Sequence, residues 1–146
     1  MNGKEVNMIA TVDGENASAV YLCQVSERVS CGACCGLYNV ADLSRDALED
    51  RLARRTERFA AVTRSEYGIE AFRRETEGWT PEDRPFPHFH HCPFLGLIGE
   101  TCGRVGCLLH PAAPGNDGYD LRFMSYYGAK ACRSYFCPST QSLPAQ

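Results

Sequence analysis

Apolar residues in the middle of the chain return at helical spacing. Leu43, Ala47, Leu48, Leu52, Phe59 and Val62 fall mostly three, four or seven positions apart with polar residues between them, the mark of one buried helix face. Asp42 or Ser44 stands where a side-chain oxygen can cap the first turn. The pattern predicts an amphipathic helix from Asp42 onward. Thr63-Arg64-Ser65-Glu66 then has the spacing of a capping box, Ile69, Phe72 and Trp79 supply an apolar side, and Gly78 marks an end, so a second, shorter helix is expected. Arg51, Arg55 and Arg58 share a face of the first helix, and the many acids around them make that face a solvated one.

Upstream, Glu5 to Val12 and Ser18 to Val25 are rich in β-branched and aromatic residues, with Asp13-Gly14-Glu15-Asn16 between them as a turn signal. This predicts an N-terminal hairpin. Its Cys23 reads as a buried structural thiol outside any site. Beyond Trp79 come Thr80-Pro81, Pro85, Pro87, Pro111, Pro114, Gly115 and Gly118, so regular elements there should be short and the path irregular. Something other than a packed core has to hold that path. The expected organisation is a single domain over 1–146, with the hairpin in 1–26, a metal-binding region in 27–138 and a tail in 139–146.

Composition sharpens this reading. The 146 residues are 44 % hydrophobic, but that share includes nine cysteines, and what remains is thin for a self-sufficient core. A net charge of −3 argues against a protein that holds nucleic acid by neutralising phosphates. No apolar run approaches the roughly 20 residues needed to span a bilayer, and Met1 to Met8 lacks the basic and then apolar build of a signal peptide. A cytoplasmic protein with no membrane and no nucleic-acid partner is expected. Cytosolic thiols stay reduced and the count is odd, which favours metal ligation over disulfides.

The thiols fall in two clusters with a long gap between Cys35 and Cys92. Ser30-Cys31-Gly32-Ala33-Cys34-Cys35-Gly36 is the most specific segment. Two residues between Cys31 and Cys34 let both sulfurs reach one ion, and the glycines relieve the turn. Cys35 points away from Cys34, so it either completes the same site or serves a second metal. In the second cluster, Cys92 and Cys137 each precede proline, as ligands in ferredoxin-like loops do. His110, three residues after Cys107, is a candidate fourth ligand, whereas His88, His90 and His91 read as loop decoration. A turn carrying Cys31 and Cys34 cannot close a tetrahedral site alone, so Cys92, Cys107 and Cys132 are expected to meet it in space.

The order Cys31-Gly-Ala-Cys34-Cys35, Cys92-Pro-Phe-Leu95, Gly106-Cys107-Leu-Leu-His-Pro111 and Ala131-Cys132-Arg-Ser-Tyr135 resembles a family of small bacterial cysteine-cluster proteins. That family is described as zinc- or iron-chelating and is named after a Cys-x2-Cys-x2-Cys-Cys motif. The resemblance spans Cys31 to Pro138. It implies that the clustered thiols are Cys31, Cys34, Cys35, Cys92, Cys107 and Cys132. The chain departs from the pattern at Arg28, where the family has its first cysteine, and adds Cys102 and Cys137.

The resulting expectation is a loop-rich α+β domain stapled by a thiolate site for zinc, or for iron. Its candidate ligands are Cys31, Cys34, Cys35, Cys92, Cys107, Cys132, Cys137 and His110. The alternative is an iron-sulfur cluster with a redox or electron-transfer task. No Ser-His-Asp array and no phosphate-binding glycine loop appears, so nothing argues for an enzyme. A thiol oxidoreductase would need a βαβ setting that Cys31 to Cys34 lack.

Overall fold

The computed structural model describes residues 23–24, 28–79 and 84–132. The predicted N-terminal hairpin, apart from Cys23 and Gln24, lies outside them, as do Cys137 and the tail.

The two helices form where the apolar spacing places them. Helix α1 runs Arg45–Ala60, and Ser44 caps it by accepting a hydrogen bond from the Ala47 amide. Helix α2 runs Glu66–Glu77, with Gly78 as C-cap. Its cap is Ser65, whose Oγ accepts from the Gly68 amide at 3.1 Å, rather than the Thr63 that the capping-box spacing offered. Leu52 and Phe59 on α1 and Ile69 and Phe72 on α2 are buried. The Phe59 and Phe72 rings meet edge-on with centroids 5.0 Å apart, and Phe94 stacks on Phe72 at 5.8 Å. These rings join Ile98, Leu108, Leu109 and Leu121 in the main core.

The turn-rich half contains a hairpin that hydrophobic patterning did not reveal. Strand β1 (Leu95–Ile98) pairs antiparallel with β2 (Arg104–Cys107), Leu95 opposite Cys107. Helices α1 and α2 with this two-stranded sheet make the described chain α+β. Helix α1 lies on β1, and Thr56 joins them: its Oγ accepts from the Leu97 amide at 2.7 Å and donates to the Leu52 carbonyl at 2.9 Å. A Cβ on Gly96 would stand 2.8 Å from that Oγ and 2.7 Å from Leu108, so only glycine allows the helix this close.

Buried polar side chains hold the irregular stretches. Asn39 donates to the carbonyls of Phe86 and Phe89 at 2.9 and 3.2 Å and accepts from the Phe86 amide at 3.1 Å. This fastens residues 86–89 to the end of the cysteine turn. Arg64 covers the Phe59 ring, donates to the Phe59 carbonyl and reaches Asn116 Oδ1 at 2.8 Å. Asn116 in turn donates to the carbonyls of Leu108 and His110, each at 2.8 Å. Part of the path expected to depend on an ion is thus carried by hydrogen bonds. Among the described residues no helix is long and apolar enough to cross a membrane.

Candidate metal centre

The two cysteine clusters meet. Seven thiols, Cys23, Cys31, Cys34, Cys35, Cys92, Cys107 and Cys132, line one cavity of about 310 Å³. They arrive on separate stretches of chain. A 3₁₀ turn over Ala33–Cys35, closed by Gly36 at φ 84°, carries Cys34 and Cys35. The Cys92 amide donates to the Cys35 carbonyl at 2.8 Å, which seats the second cluster against the first. The hairpin brings in Cys107 at the end of β2, beside Cys92. Cys132 follows the short helix α3 (Gly128–Ala131), and Arg122, from a 3₁₀ turn over Arg122–Met124, donates to its carbonyl at 3.2 Å.

Three expectations about individual residues need correction. Cys23 is exposed and on the cavity, not a buried core thiol: the Cys31 amide donates to its carbonyl at 2.9 Å and draws the preceding segment to the site. Cys35 does not point to a separate face, because a 3₁₀ turn leaves it beside Cys34 on the same cavity. Arg55 is 1 % exposed rather than part of a solvated face. It donates to the carbonyls of Cys92 and Leu95 and to His91.

The histidines divide differently from the expectation. His91 is buried, and its ring joins Arg55 to the Gly36 carbonyl. His90 lines the cavity, stacked on Tyr126 at 4.5 Å and edge-on to Tyr127 at 4.9 Å. His110 also faces the cavity, but its Nδ1 accepts from the Ala112 amide at 3.0 Å. A neutral ring then carries its proton on Nε2, the form that cannot ligate through that atom. Cys102 sits in the β1–β2 turn and is not among the cavity residues.

Burial and sulfur contacts set the thiol chemistry. Burial pushes the Cys92 thiol up to about 11 and raises Cys107 further in the same direction. Cys34 is held well below the ordinary range because Cys23 and Cys35 donate hydrogen bonds to its sulfur, and both donors are raised in consequence. Among the described residues no Asp or Glu lines the cavity, so their donor set is soft and suits zinc, iron or copper rather than calcium or magnesium. Among the described residues no three His, Cys, Asp or Glu side chains stand together closely enough to hold one ion. No family model, no curated protein and no solved structure matches the chain. The resemblance to the cysteine-cluster proteins rests on the motifs that carry it.

Proposed function

We propose that this chain is a metal-binding protein in which thiolates hold zinc or iron in the cavity and tie the Cys31–Gly36 turn, the hairpin and the segment after α3 into one unit. The observation that carries the reading is the lining: among the described residues, seven sulfurs from stretches far apart in sequence and no carboxylate. Cys35, Cys92, Cys107 and Cys132 are the ligands it favours. They are the less exposed thiols of the seven, and each lies near enough to others of the set to perturb or be perturbed electrostatically.

Charge supports the same choice. A divalent ion with four thiolates carries a net negative charge, which a low-dielectric site has to offset. Arg55 is a buried cation beside Cys92, and among the described residues no carboxylate pairs with it. A thiolate centre would supply the missing counter-charge. Bound metal would contribute folding free energy on the order of 10 kcal/mol, as much as the whole stability of many domains.

A specific observation favours a second reading. The cavity is larger than one ion, and no three donors stand at single-ion distance among the described residues. An iron-sulfur cluster would span thiols spaced more widely, with electron transfer as its task. Anaerobic purification of the full chain, without metal supplementation, tests both readings. Colourless protein carrying about one zinc or iron per chain supports the first, and brown protein with matching iron and inorganic sulfide supports the second. Less than about half an equivalent of any transition metal would overturn the metal-binding reading, since a structural site does not fold half-empty.

A further inference from the structure

A second cavity, of about 580 Å³, shares a wall with the thiol-lined one and has the size of a small-ligand site. His90, Ser125, Tyr126 and Tyr127 line both. The His90 and Tyr126 rings stack with centroids 4.5 Å apart, and Tyr127 stands edge-on to Tyr126 at 5.0 Å. Despite that packing, Tyr126 is 74 % exposed, and Phe89, on the same cavity, is 69 % exposed. Rings this open to water and gathered around one concavity are the mark of an interaction site.

Charge selects what the cavity takes. Arg73 and Glu77 of α2 line it too, but they pair with each other at 2.6 Å, and Glu70 pairs with Arg73 and Arg74 at 2.6 and 3.0 Å. Those two arginines and two glutamates cancel. Arg84 lines the same cavity and is half-buried, and among the described residues no carboxylate pairs with it. A guanidinium partly withdrawn from water without a counter-ion carries a desolvation cost that an incoming anion offsets. We propose that this cavity binds a small ligand in which a planar ring is joined to an anionic group, phosphate or carboxylate. The ring stacks on the exposed Tyr126, and the anion accepts a forked pair of hydrogen bonds from Arg84. None of the thiols is needed for this, so the inference does not rest on the metal-binding reading.

Calorimetric titration of the full chain as isolated tests it with four probes. AMP and 2-naphthoate carry ring and anion together, whereas adenosine and inorganic phosphate carry one each. AMP or 2-naphthoate should bind at least about tenfold more tightly than either half-probe, and the better of the two names the anionic group. R84Q should weaken that probe by about tenfold or more and remove the salt dependence of its binding. Y126A should weaken it by a similar factor and leave the salt dependence in place, while Y126F, which keeps the ring, binds as wild type does. Should Y126A misfold, the four-probe comparison and R84Q decide. If neither ring-anion exceeds both half-probes by that margin, or if R84Q binds like wild type, the site is overturned.

Discussion

Arg55 Nη2 donates to Nε2 of His91 at 2.7 Å, deep between α1 and the second cysteine cluster. A guanidinium has no acceptor, so the histidine accepts there and carries its proton on Nδ1, from which it donates to the Gly36 carbonyl at 2.9 Å. One helix side chain thus reaches, through one ring, the residue after Cys34-Cys35. It also grips the Cys92 and Leu95 carbonyls directly. Arg55 and His91 together set the distance between the two thiol-bearing loops, as outer-shell partners do at metal centres.

Arg55→Met should therefore cost about 3 kcal/mol of stability, because it strands two buried carbonyls and a ring nitrogen. Urea unfolding of the variant against wild type measures this, and metal content should fall with it. A loss below about 0.5 kcal/mol, the range of an ordinary surface substitution, would show that the buried hydrogen bonds do not hold the loops.

Protonation of His91 would turn Nε2 from acceptor to donor and set a second positive charge against Arg55. Burial first, and then Arg55, push its pKa down from 6.5 to about 4. Between those values the unfolded chain binds a proton that the folded chain refuses. The stabilisation is thus fully present above about pH 6.5 and is lost as pH falls toward 4. His91 should account for on the order of 2 kcal/mol, after allowance for solvent screening. Metal release in acid is common to wild type and H91Q, so the difference between their pH profiles isolates the ring. H91Q should flatten the decline but leave the part due to His110, which burial also pushes down to about 4. Parallel profiles for the two proteins would refute the assignment.

What could be read from the sequence follows from what periodicity reports. Leu52, Phe59, Ile69 and Phe72 repeat at helical spacing because one face of each helix is buried, and both helices lie where that spacing put them. That Cys31, Cys34 and Cys35 lie on one cavity with Cys92, Cys107 and Cys132 agrees with the two-cluster pattern of the thiols along the chain. Arg55, Asn39 and Asn116 were not legible. A buried polar hub has no period, and in sequence Arg55 looks the same as the exposed Arg58 on its own helix. The hairpin escaped because Gly96 and Gly106 stand inside its short strands and break the alternation that marks one. Cys23 was misjudged for a related reason: a strand pattern assigns faces but cannot tell a core face from the wall of a cavity.

Cys102 offers a test of which thiols are outside the site. It holds φ 49° in the β1–β2 turn, a left-handed conformation that costs an L residue roughly 1–2 kcal/mol. Cys102→Gly should relieve that strain and, after the larger entropy loss of glycine on folding, stabilise the chain by about 0.5 kcal/mol. Metal content should be unchanged. A destabilised variant, or one that loses metal, would place Cys102 among the ligands.

Gly36 closes the 3₁₀ turn that aims Cys34 and Cys35. Its φ is 84°, and a Cβ there would stand 2.5 Å from the His90 carbonyl oxygen and 2.8 Å from the His91 Cα. Both obstacles are backbone and neither can rotate away. Gly36→Ala must therefore part the turn from the His90–Cys92 segment, lengthening the bond from the Cys92 amide to the Cys35 carbonyl and the one from His91 to the Gly36 carbonyl. The left-handed conformation and the clash together should cost at least about 2 kcal/mol. Because those two hydrogen bonds join the clusters, the damage should be greater at the cavity than in the helices. Far-UV circular dichroism of α1 and α2 should stay near wild type in protein that remains folded, while metal content drops by more than half. Retention of full metal by a folded Gly36→Ala chain would mean that the thiols of the second cluster bind without the turn, and that the two clusters are neighbours rather than one centre.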